Sequence, residues 1–117
     1  TVPDAYKDRL YSYHNPVIFV PRTTGPELVR MMEEIRDRLK DAKSNTVFVL
    51  PTKGISSYSV EGGVLYDAES DAAFHQAVRE MLPNNIPLIE VEAGAEDPVF
   101  VERCIDELVK LIDSSKA

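Results

Sequence analysis

The chain has 117 residues, 44% of them hydrophobic and 28% charged, and a net charge of −7. That length suits one domain that buries roughly two-thirds of its unfolded surface. Lys and Arg are scattered with no basic run, so the electrostatic footprint of a nucleic-acid binder is missing. No apolar stretch reaches bilayer length, and no secretory pattern opens the chain. One cysteine excludes an internal disulfide and a Cys-only metal cluster. Together these point to the cytoplasm, with no membrane and no nucleic acid as partner. The chain opens on Thr1 rather than methionine, as a processed chain or a piece of a longer one would.

Residues 1–15 are polar and aromatic without a clear period and read as a lead-in, ahead of an α/β domain over 16–113. Residues 17–20 form the first apolar, β-branched run, followed by Arg22-Thr23-Thr24-Gly25-Pro26-Glu27. Thr24 and Glu27 have capping-box spacing, and Leu28, Met32, Ile35 and Leu39 place one apolar stripe on a helix over 25–42. Residues 46–50 form a second apolar run. A long connection then carries Lys53, Gly54, Ser56, Ser57, Tyr58, Ser59 and the Gly62-Gly63 pair, with a hairpin excursion as its plain structural reading. Asp67 or Ser70 caps a second helix with Phe74, Ala77, Val78, Met81 and Leu82 on its apolar face. Leu88–Val91 is the third run, and Asp97-Pro98 opens a third helix with Phe100, Cys104 or Ile105, Leu108 and Ile112.

Near-continuous apolar runs alternating with amphipathic stretches predict a three-layer βαβαβα domain with a small parallel sheet, half of a doubly wound protein. A three-stranded sheet has two edges, so a partner domain or a second copy is expected to cover one, and self-association follows.

In such a sheet ligands bind at the carboxyl ends of the strands, where three loops converge. The first brings Arg22, Thr23 and Thr24: a bidentate donor beside the amino end of a helix, where anions are favoured. The second brings Lys53, Gly54, Ser56 and Ser57, and the third Gly94, Glu96 and Asp97. As a rim residue, Arg22 should matter for binding and contribute within about 1 kcal/mol to stability. The loops contain no Walker spacing and no nucleophile elbow, and no His, Cys and carboxylate set has metal-ligand spacing. His75 reads as a flank residue of its helix, His14 as packing at the opposite rim, and Cys104 as buried and inert.

Five strings occur in order: His14-Asn15-Pro16, Arg22-Thr23-Thr24, Leu50-Pro51 with Gly54-Ile55-Ser56, Asp67 with Asp71 and Phe74, and Asp97-Pro98-Val99-Phe100. Over residues 5–112 the set resembles the C-terminal half of the uncharacterised two-domain family that includes the plant tobamovirus-multiplication inhibitor. That resemblance implies two α/β subdomains, of which this chain matches the second, and a family often labelled ATP-binding. The family's third loop reads His-Ile-Asn-Asp-Pro, whereas here Gly94-Ala95-Glu96 precede Asp97-Pro98, so the histidine and asparagine are gone.

The expected function is therefore an anion or nucleotide-phosphate half-site, taking ATP or another phosphate-bearing ligand and completed by an N-terminal α/β domain or a second copy. Two alternatives stand beside it. One is a hydrolase or lyase acting on a carboxylated or phosphorylated metabolite, with Glu96 or Asp97 as proton acceptor. The other is a non-catalytic assembly module.

Overall fold

A computed structural model describes residues 2–116. After a short 3-10 turn at Asp4–Tyr6, the elements are β1 (Tyr11–Asn15), β2 (Ile18–Pro21), α1 (Gly25–Leu39), β3 (Phe48–Pro51), α2 (Ala68–Met81), β4 (Leu88–Val91) and α3 (Pro98–Ser115).

The expected three-stranded parallel sheet is not what forms. β3 and β4 pair in parallel, with Phe48 opposite Leu88 and Pro51 opposite Val91. β2 pairs instead with β1, antiparallel, in a separate two-stranded sheet. The reason is local. The side chain of Asn15 accepts from the backbone N–H of both Val17 and Ile18 at 2.9 Å, which closes a tight turn at Pro16. Across that turn Tyr11 and Tyr13 meet Phe19, with ring centroids 5.3 and 5.6 Å apart. A short loop is cheap to close, and aromatic cross-strand pairs stabilise the ladder. The lead-in thus contains a strand, and the first apolar run is half of a hairpin.

The helix starts follow their signals. Thr24 and Glu27 form a complete capping box, Asp67 accepts from the N–H of Ser70, and Asp97 accepts from that of Val99 ahead of Pro98. The core lies between α1, α2 and the parallel pair: Met32, Leu50, Ala77 and Val78 are buried, with Val29, Ile35, Phe48, Phe74, Met81, Leu82 and Leu88 packed around them.

α3 stands apart, with no buried residue. Beyond Val99 in its first turn, its apolar residues 100, 101, 104, 105, 108, 109, 111 and 112 cover half its circumference at 3.6 residues per turn. Phe100, Cys104 and Leu111, along one edge, are half-buried, while Val101, Ile105, Leu108, Val109 and Ile112 are exposed. Cys104 is therefore half-buried rather than enclosed. The radius of gyration is 16.3 Å, against about 13 Å for a compact domain of this length.

Candidate functional site

The second and third loops meet as the topology requires. Beyond the parallel ladder, Lys53 N–H donates to Ala93 O at 3.1 Å and Ala95 N–H donates to Gly54 O at 2.8 Å. Gly54 sits at φ +120°, and a Cβ there would stand 2.8 Å from Ser59 O, so only glycine fits that bend. The long connection forms no hairpin. It is a compact loop folded on Ser59, whose buried Oγ accepts from the N–H of Ile55 and Ser56 at 3.2 and 3.0 Å. Leu65 N–H closes its far end on Tyr58 O at 2.8 Å.

A cleft of about 480 Å³ opens at the carboxyl ends of β3 and β4. Lys53, Gly94 and Asp97 line it, together with Thr52, Asp71 and His75. The first residue of α2, Ala68, and the cap of α3, Asp97, both lie on its wall, so two helix amino ends border it. Lys53 is a well-exposed cation whose ammonium stands 3.5 Å from Glu92. Glu61, Asp71, Glu92 and Asp97 give the walls more negative than positive charge.

Other residues expected at the site have local work. Glu96 accepts from the N–H of Ser57, tying the second loop to the third, and Ser56 Oγ lies 3.1 Å from Ser59 Oγ. Gly54, Ser56, Ser57 and Glu96 therefore shape the loop behind the cleft rather than its wall.

The first loop goes elsewhere. Arg22, Thr23 and Thr24 line a separate hollow of about 200 Å³ with Asp8, Arg9, Leu10, Asp67 and Ser70. Arg22 is not the exposed rim residue that its place after a strand implies. Its side chain is 7% accessible and ion-paired with Asp71, itself 13% accessible. Its backbone N–H donates to Leu10 O at 2.7 Å, as the hairpin demands. Arg9 forms a forked pair with Glu27, whose carboxyl is held below its usual range first by the Thr24 N–H and then by Arg9.

Asp71 and His75 are among the cleft residues that sequence reasoning left off the site, as are Thr52, Glu61 and Glu92. Asp71 and His75 are four apart on α2, so they share a face. Asp71 belongs to one of the family strings, and His75 reads from the sequence as a flank residue of its helix. Burial lowers the His75 pKa, with Asp71 opposing the shift. Asp67, at the cap of α2, is held low by hydrogen bonds from Ser70. Among the described residues, no group of three or more His, Cys, Asp or Glu could hold a metal ion, and no helix is long and apolar enough to cross a membrane.

Residues 1–112 match the C-terminal domain of an uncharacterised protein family, UPF0261. A UPF0261 protein of Mesorhizobium japonicum is 35% identical over 104 residues, covering 87% of this chain and 26% of the relative. One from Clostridium tetani is 28% identical over 114 residues, covering 97% and 28%. The ToMV resistance protein Tm-1(GCR237) of Solanum lycopersicum is 29% identical over 118 residues, covering 99% of this chain and 16% of that protein. The chain thus spans about a quarter of the length of these bacterial relatives, and less of the tomato protein.

Proposed function

This chain belongs to the UPF0261 family, as its C-terminal domain, and on that premise we propose that its cleft is half of a binding site for a phosphate-bearing small molecule. Another part of the longer protein closes the other half. The observation that carries this reading is the position of Lys53: an accessible ammonium in a cleft at the carboxyl ends of two parallel strands, bordered by the amino ends of α2 and α3. Lys53 neutralises phosphate charge, while Gly94 lets Val60 pack close, since a Cβ there would stand 3.0 Å from Val60 Cγ1. Arg22, Thr23 and Thr24 stand behind the site, joined to it through Asp71.

The carboxylates narrow the ligand further. A bare anion is repelled by Asp71, Glu92 and Asp97, so affinity requires hydroxyl or amino donors beside the phosphate, as in a nucleotide. Titrating ATP calorimetrically against wild type and Lys53→Ala tests this, with the chain alone and within the longer protein. Loss of one charge-assisted contact should weaken binding by about 10–100-fold. Equal affinity for the two would refute the role of Lys53.

The exposed apolar half of α3 favours a second reading, assembly, and the two are compatible. That face is covered by the remainder of the longer protein or by a second copy of the chain. Sedimentation of the isolated chain separates these: self-association means a second copy, and a monomer means the remainder.

A further inference from the structure

Arg22 and Asp71 come from strings 49 residues apart and meet between the small hollow and the main cleft, since Arg22 lines the first and Asp71 the second. Their joint economy is poor. Arg22 offers five N–H donors, yet among the described residues only Nη2 has a side-chain partner, and Nε is buried with none. Asp71 receives that one bond on Oδ1, while Oδ2 accepts nothing from any described residue.

Two nearly buried charges joined by a single bond are weak support for a fold, because an apolar pair of similar volume serves as well or better. Buried polar capacity left unused calls for a reason. Here the reason has a location, because Asp71 is on the wall of the cleft that Lys53 also lines, four residues before His75.

We infer that Asp71 is the acceptor that reads the donor groups of the ligand in this cleft, and that Arg22 is its positioning residue. The inference rests on the phosphate-cleft reading above and assigns the other end of the same ligand. Arg22 fixes the carboxylate in direction through their ion pair. A carboxylate acceptor held in the cleft wall makes a short, charge-assisted bond to a hydroxyl or amino group. The same carboxylate repels phosphate, so it orients the ligand with its charged end toward Lys53.

The test compares ATP with inorganic tripolyphosphate, which carries the charge without the donors, by calorimetry on the full chain and on the longer protein. Wild type should prefer ATP. Replacing the pair together, Arg22→Met with Asp71→Leu, keeps the volume apolar and the fold intact. It should cost ATP about 10-fold or more and leave tripolyphosphate within about twofold. Arg22→Lys should restore part of the preference lost in Arg22→Met, because it returns the charge without the planar fork.

A folded double variant that still prefers ATP would overturn the inference while leaving the Lys53 cleft standing. Equal loss of both probes would also overturn it and make the pair a structural tie. A wild type that binds neither would remove the phosphate cleft and this inference together.

Discussion

α2 and α3 make an instructive pair. Both open on an aspartate cap, both follow a loop that borders the same cleft, and both are amphipathic. Yet α2 buries Ala77 and Val78 against α1 and the parallel strands, whereas α3 buries nothing completely. α3 carries the wider apolar face and has the less to cover it. Amphipathicity therefore specifies that a face is to be buried, not what will bury it. The chain spans about a quarter of its bacterial relatives, and on the assembly reading proposed above the cover for α3 comes from outside it.

The largest expected effect lies on the α2 side. Arg22→Ala leaves Asp71 nearly buried without its counter-charge and should destabilise the chain by about 3–5 kcal/mol, read by urea denaturation. A change within about 1 kcal/mol would show that the pair is solvent-screened and that α2 is held by packing alone.

Next comes packing itself. Met32→Ala, which empties the fully buried centre facing α2, should cost about 2–5 kcal/mol. Ile105→Ala on α3 should stay within about 0.5 kcal/mol in this chain and become costly only in the longer protein. Comparable losses in the isolated chain would mean that α3 already has a partner there, and the contrast would fail.

Smaller still are the caps. Asp67→Ala should lower global stability by about 1 kcal/mol. Asp97→Ala should fray α3 locally, seen as faster amide exchange along that helix with the denaturation midpoint nearly unchanged. A shared drop in midpoint would place α3 inside the cooperative unit.

Acidification gives the finest contrast. Burial lowers the pKa of His75 on α2 below that of a free imidazole. The unfolded chain then takes up the proton first, so stability is full above about pH 6.5 and is lost as pH falls toward the depressed folded value. Asp67 adds a further loss below the ordinary carboxylate range, because Ser70 holds it low in the fold. His75→Gln should flatten the first phase, with midpoints measured from about pH 8 to 5. An unchanged profile would mean that His75 is solvated in the cleft.

What was legible in the sequence was local. Thr24 with Glu27, Asp67 or Ser70 (the structure uses Asp67), and Asp97 with Pro98 marked three helix starts, because a cap is a contact between residues two or three apart. The parallel pairing of β3 and β4, and the meeting of the Lys53 and Gly94 loops, followed from apolar runs and crossover length. The hairpin was also legible in principle: Asn15-Pro16 is a turn signal between Tyr11 and Tyr13 on one side and Phe19 on the other. The β-branched run at 17–20 looked equally fit for a buried parallel strand, and nothing local separates the two pairings.

Tertiary structure alone decided the fate of the charges. Arg22 after a strand reads as a rim donor, and only the approach of α2, with Asp71 49 residues away, turns it into a buried half of an ion pair. His75 became a cleft residue for the same reason: which helix face meets the loop after β3 is set by packing across the chain. Periodicity encodes a face and spacing encodes a cap. The partner across space is fixed by where the hydrophobic elements come to rest, and a single sequence states that only through the fold.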